Sequence, residues 1–228
     1  GYLDNLHPKQ TSIHLLAGAA FAKGIETARR HYYESGAPED YAINEGIKAV
    51  SKLYEGAVIP EGSRKTQSRM EDAIRYYFTQ WPLEGEAIKP YRNGQGKLAI
   101  ELGIQRVIPG IEHPDGGPLF YAGNFDMIAT FGGSLLVVDE KTASSLGKSW
   151  MESWDMEAQM TGYCWLSQGE AYSVIGAMIR GISILSEKYD KEDKLILNTS
   201  YGFAGALVMR PQWMINRWLT QLQSDING

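Results

Sequence analysis

The feature that most constrains this fold is an apolar run that ends in charge. Ser134-Leu135-Leu136-Val137-Val138 reads as a buried strand, and Asp139-Glu140-Lys141-Thr142 follows without a break. Side chains alternate along a strand, so Asp139 and Lys141 share one face and Glu140 points to the other. Two charges on one face of an apolar strand are expensive to bury unless they pair with each other, a metal or a ligand. The Val-Val pair before Asp139 is too apolar for an exposed hairpin whose charges are simply solvated. The segment therefore predicts a site.

A second acid stands upstream, in Gly123-Asn124-Phe125-Asp126, and Phe131-Gly132-Gly133 reads as the hairpin turn between the two segments. Antiparallel neighbours bring Asp126 and Asp139 to adjacent strand ends. Both would supply hard oxygen ligands to Mg2+ or Mn2+. Such a cation lowers the pKa of a bound water and stabilises the charge that builds on a phosphoryl group. Lys141 beside the acids could orient or help deprotonate that water, or neutralise a non-bridging phosphate oxygen. The set suits phosphodiester cleavage. Gln159 and Tyr163, at i and i+4, project from one face of a helix expected over 154–167. An amide and a phenol there could bind phosphate or support the metal carboxylates. The alternative is a core tyrosine with a surface glutamine beside it.

The ordered pattern G-x-F-D, a strand ending D-E-K-T, and Q-x-x-x-Y on a helix resembles the PD-(D/E)XK nuclease superfamily, in particular its RecB-like branch. The resemblance runs from about Gly96 to Trp165. It implies that Asp126 and Asp139 are the two signature acids, Lys141 the signature lysine, and Gln159 and Tyr163 the branch's Q-x-x-x-Y pair. It also implies a fold of α+β class, a central mixed β-sheet flanked by helices in a restriction-endonuclease-like core, with an N-terminal helical region. The implied activity is that of a Mg2+- or Mn2+-dependent deoxyribonuclease. An exonuclease of phage or bacterial type is the first expectation, working on DNA in recombination or end processing in the cytoplasm, with a recombinase, single-strand-binding protein or helicase as partner. A non-catalytic DNA-binding or scaffolding relative is the alternative.

The N-terminal segment Ile13 to Glu26 is an apolar, small-residue helix similar to the branch's G-x-x-F-H-x-x-x-E stretch, in which the histidine often joins the metal site. Ala22 stands in the histidine's place, so the chain departs from that pattern. Glu26, one turn on, could ligate instead, or could pair with Arg29 or Arg30. Glu101, in the expected first strand, is a further candidate ligand or an acid on the solvent face of an edge strand. Arg64, Lys65 and Arg69, in a helix expected over 63–81, and Lys148, in a polar loop, are candidate DNA contacts or ordinary solvated cations. Trp150 and Trp154 could stack on a single-stranded base or belong to the core.

Composition narrows the remaining classes. At 228 residues the chain suits one domain, with a helical elaboration over 1–95 and a catalytic core over 96–228. A net charge of −5 argues against a protein that coats DNA, although a carboxylate site adds negative charge that a bound metal offsets. One cysteine, Cys164, excludes an intramolecular disulfide, a zinc cluster built on several thiolates and a four-cysteine iron–sulfur cluster. No apolar run is long enough for a membrane helix. The phosphate-binding loop of an ATPase and the serine elbow of a hydrolase are both missing from the sequence. The chain opens on Gly1-Tyr2-Leu3 without the helix that precedes the G-x-x-F-H stretch in the branch, as a shortened chain would. Further helices are expected over 12–34, 38–54 and 211–225, and strands over 97–107, 119–130, 134–142, 172–185 and 194–208.

Overall fold

The computed structural model describes residues 12–170, 172–185, 188–189, 195–197 and 201–227. It has two compact units: one holds the described residues up to Trp81 together with Ile184–Tyr201, the other holds Pro82–Ser183 and Gly202 onward. The division falls at Trp81, ahead of the boundary expected at residue 95, because Lys89–Pro90 joins the sheet of the second unit. Lys89–Pro90 forms a short strand there that the sequence pattern did not signal.

The first unit is helical. Helices α1 (Ile13–Tyr33), α2 (Glu39–Tyr54) and α3 (Gln67–Gln80) carry it, with a small pairing of Lys188–Tyr189 and Leu195–Leu197. In α1, Ala17, Ala20, Phe21, Gly24 and Ala28 form a buried stripe at three- and four-residue spacing. Small residues there let α2 approach closely: a Cβ on Gly24 would lie 2.9 Å from Val50. Thr66 caps α3, and Ser63 closes its own turn ahead of the helix, so Arg64 and Lys65 precede α3 instead of lying within it. The strand expected from residue 194 begins outside the described residues.

The second unit is built on a mixed six-stranded sheet, and the fold is α+β. Its strands are β1 (Lys89–Pro90), β2 (Ile100–Glu112), β3 (Pro118–Phe131), β4 (Ser134–Ala143), β5 (Val174–Ile184) and β6 (Tyr201–Met209). Strands β1 and β2 both pair with β3, which is followed in order by β4, β5 and β6. The β3–β4 hairpin turns on Gly132 and Gly133, both at positive φ, between the paired Phe131 and Ser134. Two residues of that conformation match the twist of the strands they join. Strands β4 and β5 are parallel, which requires a crossover. Helix α4 (Lys148–Ser153), a 3-10 turn at Trp154–Met156 and helix α5 (Ala158–Gly169) supply it, and α6 (Gln212–Asn227) closes the chain.

The core of this unit lies between α5 and the sheet, where Phe125, Ile128 and Val137 meet Met160, Cys164 and Leu166. Two glycines set the approach. A Cβ on Gly123 would lie 2.7 Å from the Tyr163 ring, and one on Gly162 would collide with Tyr121. Buried Arg210 fixes the start of α5, donating to the Thr161 hydroxyl at 2.9 Å and the Trp154 carbonyl at 2.7 Å. No described helix is long and apolar enough to cross a membrane.

Candidate functional site

The acids sit where the sheet changes phase. Phe125 and Ile128 both belong to the cluster covered by α5, although strict alternation over three residues would put them on opposite faces. The slip falls at Asp126. On the neighbouring strand, Ile100 pairs with Met127 and Leu102 with Phe125, which puts Glu101 across from Asp126. Glu101 has φ 51°, a left-handed conformation uncommon for glutamate, and its side chain is exposed. The irregularity frees Asp126 from the ladder. Its Oδ2 accepts the Glu140 backbone N–H at 2.6 Å instead.

Asp139 is 2% exposed at the end of the apolar run, and Lys141 reaches back along the same face to place Nζ 2.7 Å from its Oδ2. Beyond that ion-pair contact, Oδ2 has no hydrogen-bond partner among the described residues. Tyr163 stands over the Phe125 ring edge-on at 4.6 Å, and its hydroxyl accepts a hydrogen bond from the Gln159 side-chain amide at 2.8 Å. The structure thus brings Asp126, Asp139, Lys141, Tyr163 and Gln159 into one constellation. The core role of Tyr163 and its role at the site are the same placement: it is 8% exposed, and the charges of Asp139, Lys141 and Asp126 all act on its phenol.

Glu140 departs from expectation. Strand alternation points it away from Asp139 and Lys141, yet it is only 8% exposed, and its charge acts on the Asp126 carboxyl. The slip in β3 explains this, since Asp126 leaves the regular face and lies against the β4 backbone at Glu140. Across the parallel pairing Glu140 stands beside Arg180, a buried arginine ion-paired with Glu86 at 3.0 Å. Glu140 and Arg210 are the residues that sequence reasoning missed. The first needed the change of phase at Asp126, which leaves no trace in hydropathy. The second is a lone arginine after a strand.

Burial and charge act together on these groups. Burial raises the Asp126 carboxyl well above its usual range, and the charges of Glu140 and Asp139 push it further. Asp139 is also raised by burial, which outweighs the opposing pull of Lys141. Burial would lower Lys141, but Asp139 and Asp126 overcome it and hold the ammonium above its ordinary value. Lys141 is therefore charged at neutral pH, which suits a phosphate-facing cation better than a general base.

The donor set suits a divalent cation, because the partly buried Asp126 and the buried Asp139 act on each other and one buried oxygen of Asp139 is under-bonded. Among the described residues, no group of three His, Cys, Asp or Glu side chains forms a ready-made cage. Glu26 lies within α1, where Lys23 and Arg30 bind its carboxylate at 2.7 and 2.8 Å. Arg29, the other expected partner, donates instead to Tyr77 at 3.0 Å. Arg69 donates to the Leu185 carbonyl at 3.4 Å, and Lys65 is partly buried while Arg64 is exposed. Lys148 opens α4, not a loop, and faces Glu152 at 3.4 Å. Trp150 and Trp154 pack on the α5 core and on each other at 5.5 Å.

No family model and no curated protein matches this sequence. A solved structure titled "Crystal structure of SSO0001" aligns with 97% of this chain and 81% of its own at 18% identity, with a TM-score of 0.33. A similarity that low bears on neither mechanism nor ligand.

Proposed function

We propose that this chain is a divalent-metal-dependent deoxyribonuclease, with exonucleolytic processing of DNA ends as its activity. The reading is supported by one observation: Asp126, Asp139 and Lys141 lie together within two hairpin-linked strands, beside a tyrosine and a glutamine from the crossover helix. Asp126 and Asp139 are the residues that would hold Mg2+ or Mn2+. When bound, such a cation supplies Lewis acidity that makes water a competent nucleophile and offsets charge on the phosphate. The chain's own groups do the rest. Lys141, kept cationic by its acids, neutralises a non-bridging phosphate oxygen in the transition state. Tyr163, tied to Gln159, orients a phosphate oxygen or the carboxylates beside it. Gly123 and Gly162 let that helix come close enough to do so.

Incubating labelled linear and circular DNA with Mg2+, Mn2+ or EDTA tests the reading. Loss of linear substrate alone, only with metal, is expected, whereas nicked circles would make the enzyme an endonuclease. Ala22 in place of the branch's histidine favours the second reading, a non-catalytic DNA-binding relative. Retention of DNA without cleavage under every metal condition would support that second reading over the first.

A further inference from the structure

The crossover helix reaches the acids through its first turn. Gln159 is the second residue of α5, where backbone N–H groups have no partner within the helix, and the Glu157 carboxylate caps its N–H at a long 3.4 Å. The 3-10 turn ahead of it, Trp154–Met156, contains no buried residue. Arg210 supplies the hold. Its own backbone is tied to the sheet, since its N–H donates to the Ile175 carbonyl of β5 at 2.9 Å. The buried guanidinium directs Nη2 to the Trp154 carbonyl at 2.7 Å and the Glu157 carbonyl at 3.5 Å. Its Nε donates to the Thr161 hydroxyl at 2.9 Å, which in turn donates to the Glu157 carbonyl at 3.3 Å. With Nη1 on the Met209 carbonyl, the acceptors are carbonyls and a hydroxyl, and none is charged. Burial pulls the guanidinium below its ordinary value against the opposing charges of Asp155 and Glu157. A buried cation matched only with neutral acceptors is costly, and an apolar side chain of similar size would serve packing better. What Arg210 gives in return is geometry. Its contacts at Glu157 and Thr161 bracket Gln159. Thr161 lies about 200° around the helix from Gln159, whereas Tyr163 lies within about 40° of it. The guanidinium therefore grips the back of the turns whose front carries the Gln159–Tyr163 pair.

We propose that Arg210 is a positioning residue for the acid site: its grip on the start of α5 holds the Gln159 amide on the Tyr163 hydroxyl and so aims that hydroxyl. The proposal rests on the nuclease reading above. The Tyr163 ring is packed against Phe125 and Gly123, so its place is set by the core. The direction of its O–H is not. A phenol both donates and accepts, and with the Gln159 amide on one lone pair the hydroxyl proton turns away from Gln159, toward a carboxylate or a phosphate oxygen. If the first turn of α5 shifts, that restraint is lost and the hydroxyl rotates. Misplacement of such a group by about 1 Å can cost about a hundredfold in rate. Arg210 acts through α5, not on the reacting atoms.

Three variants of the full chain test this. Arg210→Met removes the guanidinium; Thr161→Val removes only its hydroxyl partner and decides the matter if the first fails to fold; Thr161→Ser restores that partner. One readout is the side-chain amide NMR signal of Gln159 in EDTA, assigned by its loss in Gln159→Leu. The other is steady-state cleavage of linear DNA with Mn2+. In Arg210→Met and Thr161→Val the signal should move toward that of a solvent-exposed glutamine, and kcat should fall by about tenfold or more with KM little changed. Thr161→Ser should keep the unmodified signal and kcat. Placed on Tyr163→Phe, the same two substitutions should cost little further, because the hydroxyl they aim is gone. An unmoved Gln159 signal, an unchanged kcat, or an equal fall with and without the Tyr163 hydroxyl overturns the assignment. If the unmodified chain cleaves no DNA while the Gln159 signal moves in the variants, Arg210 still positions Gln159 and the nuclease reading alone falls.

Discussion

Glu26 in α1 and Asp126 in β3 are both partly withdrawn from water, and the structure treats them in opposite ways. Burial would raise the Glu26 carboxyl, but hydrogen bonds from Lys23 and Arg30 outweigh it and hold the group below its ordinary value. Asp126 gains one backbone N–H and two acidic neighbours, and its carboxyl rises. The first arrangement is what a fold does with an acid it needs only to accommodate. The second keeps an electrostatic deficit that the Glu140 N–H only partly relieves, and proteins tend to keep such a deficit where a ligand relieves it. The contrast supports, without any appeal to resemblance, the proposal that Asp126 is functional and Glu26 structural.

The largest effect that could break the contrast is on cleavage. Asp139→Ala removes the most buried acid and the partner of Lys141, and a fall of roughly a hundredfold or more in DNA hydrolysis is expected, as for loss of one preorganised charge-stabilising group. The circular dichroism spectrum should be unchanged. Hydrolysis at the unmodified rate would remove Asp139 from the site.

Glu140 sharpens the comparison. Its charge is part of what raises Asp126, so Glu140→Gln should lower the Asp126 carboxyl and move the acid limb of the pH–rate profile to lower pH. A profile that does not move would mean that Glu140 only fills space behind the hairpin.

Stability should respond to pH with opposite signs in the two regions. An acid raised on folding binds more protons in the native state above its unfolded value of 3.8, so Asp126 withdraws stability as pH rises through its folded value. Glu26 is lowered on folding, so its contribution is present above 4.5 and is lost as pH falls through its folded value. In EDTA at neutral pH, Asp126→Asn should therefore melt higher than the unmodified chain, by about 2–4 °C for each kcal/mol relieved. The gain should shrink as pH falls toward 3.8 or when Mn2+ is added. A lower melting temperature for Asp126→Asn in EDTA would show that the carboxylate stabilises the fold.

The smallest effect is expected at Glu26. Glu26→Gln loses two helix-surface ion pairs, a change below about 1 kcal/mol by chemical denaturation. The metal concentration for half-maximal cleavage should not change. A rise in that concentration would place Glu26 among the ligands after all.

Much of this was legible in the sequence for a physical reason. A buried strand ending in Asp139 and Lys141 announces itself because apolar runs and charges conflict, and the Gly-Gly turn dictates a hairpin. The crossover helix follows from the same logic, since its Gly162 and Tyr163 belong to a close-packed face. What stayed hidden depends on backbone geometry that side-chain periodicity does not record. The phase slip at Asp126 brings Glu140 to the acids against what alternation gives, while Glu101, left-handed in backbone, is exposed as alternation along β2 gives. The short β1 was hidden because a two-residue strand holding a proline has no period to read. Lys148 falls in α4 because only one turn of helix separates it from the 3-10 turn, too short for an amphipathic pattern.

Calorimetric titration of Mn2+ into the metal-free chain at neutral pH reads the electrostatic deficit itself. Saturable binding is expected for the unmodified chain and for Glu26→Gln, with affinity reduced about tenfold or more in Asp126→Asn and in Asp139→Asn. Binding of equal strength in either aspartate variant, or no binding by the unmodified chain, would contradict the assignment of these two residues as a cation site.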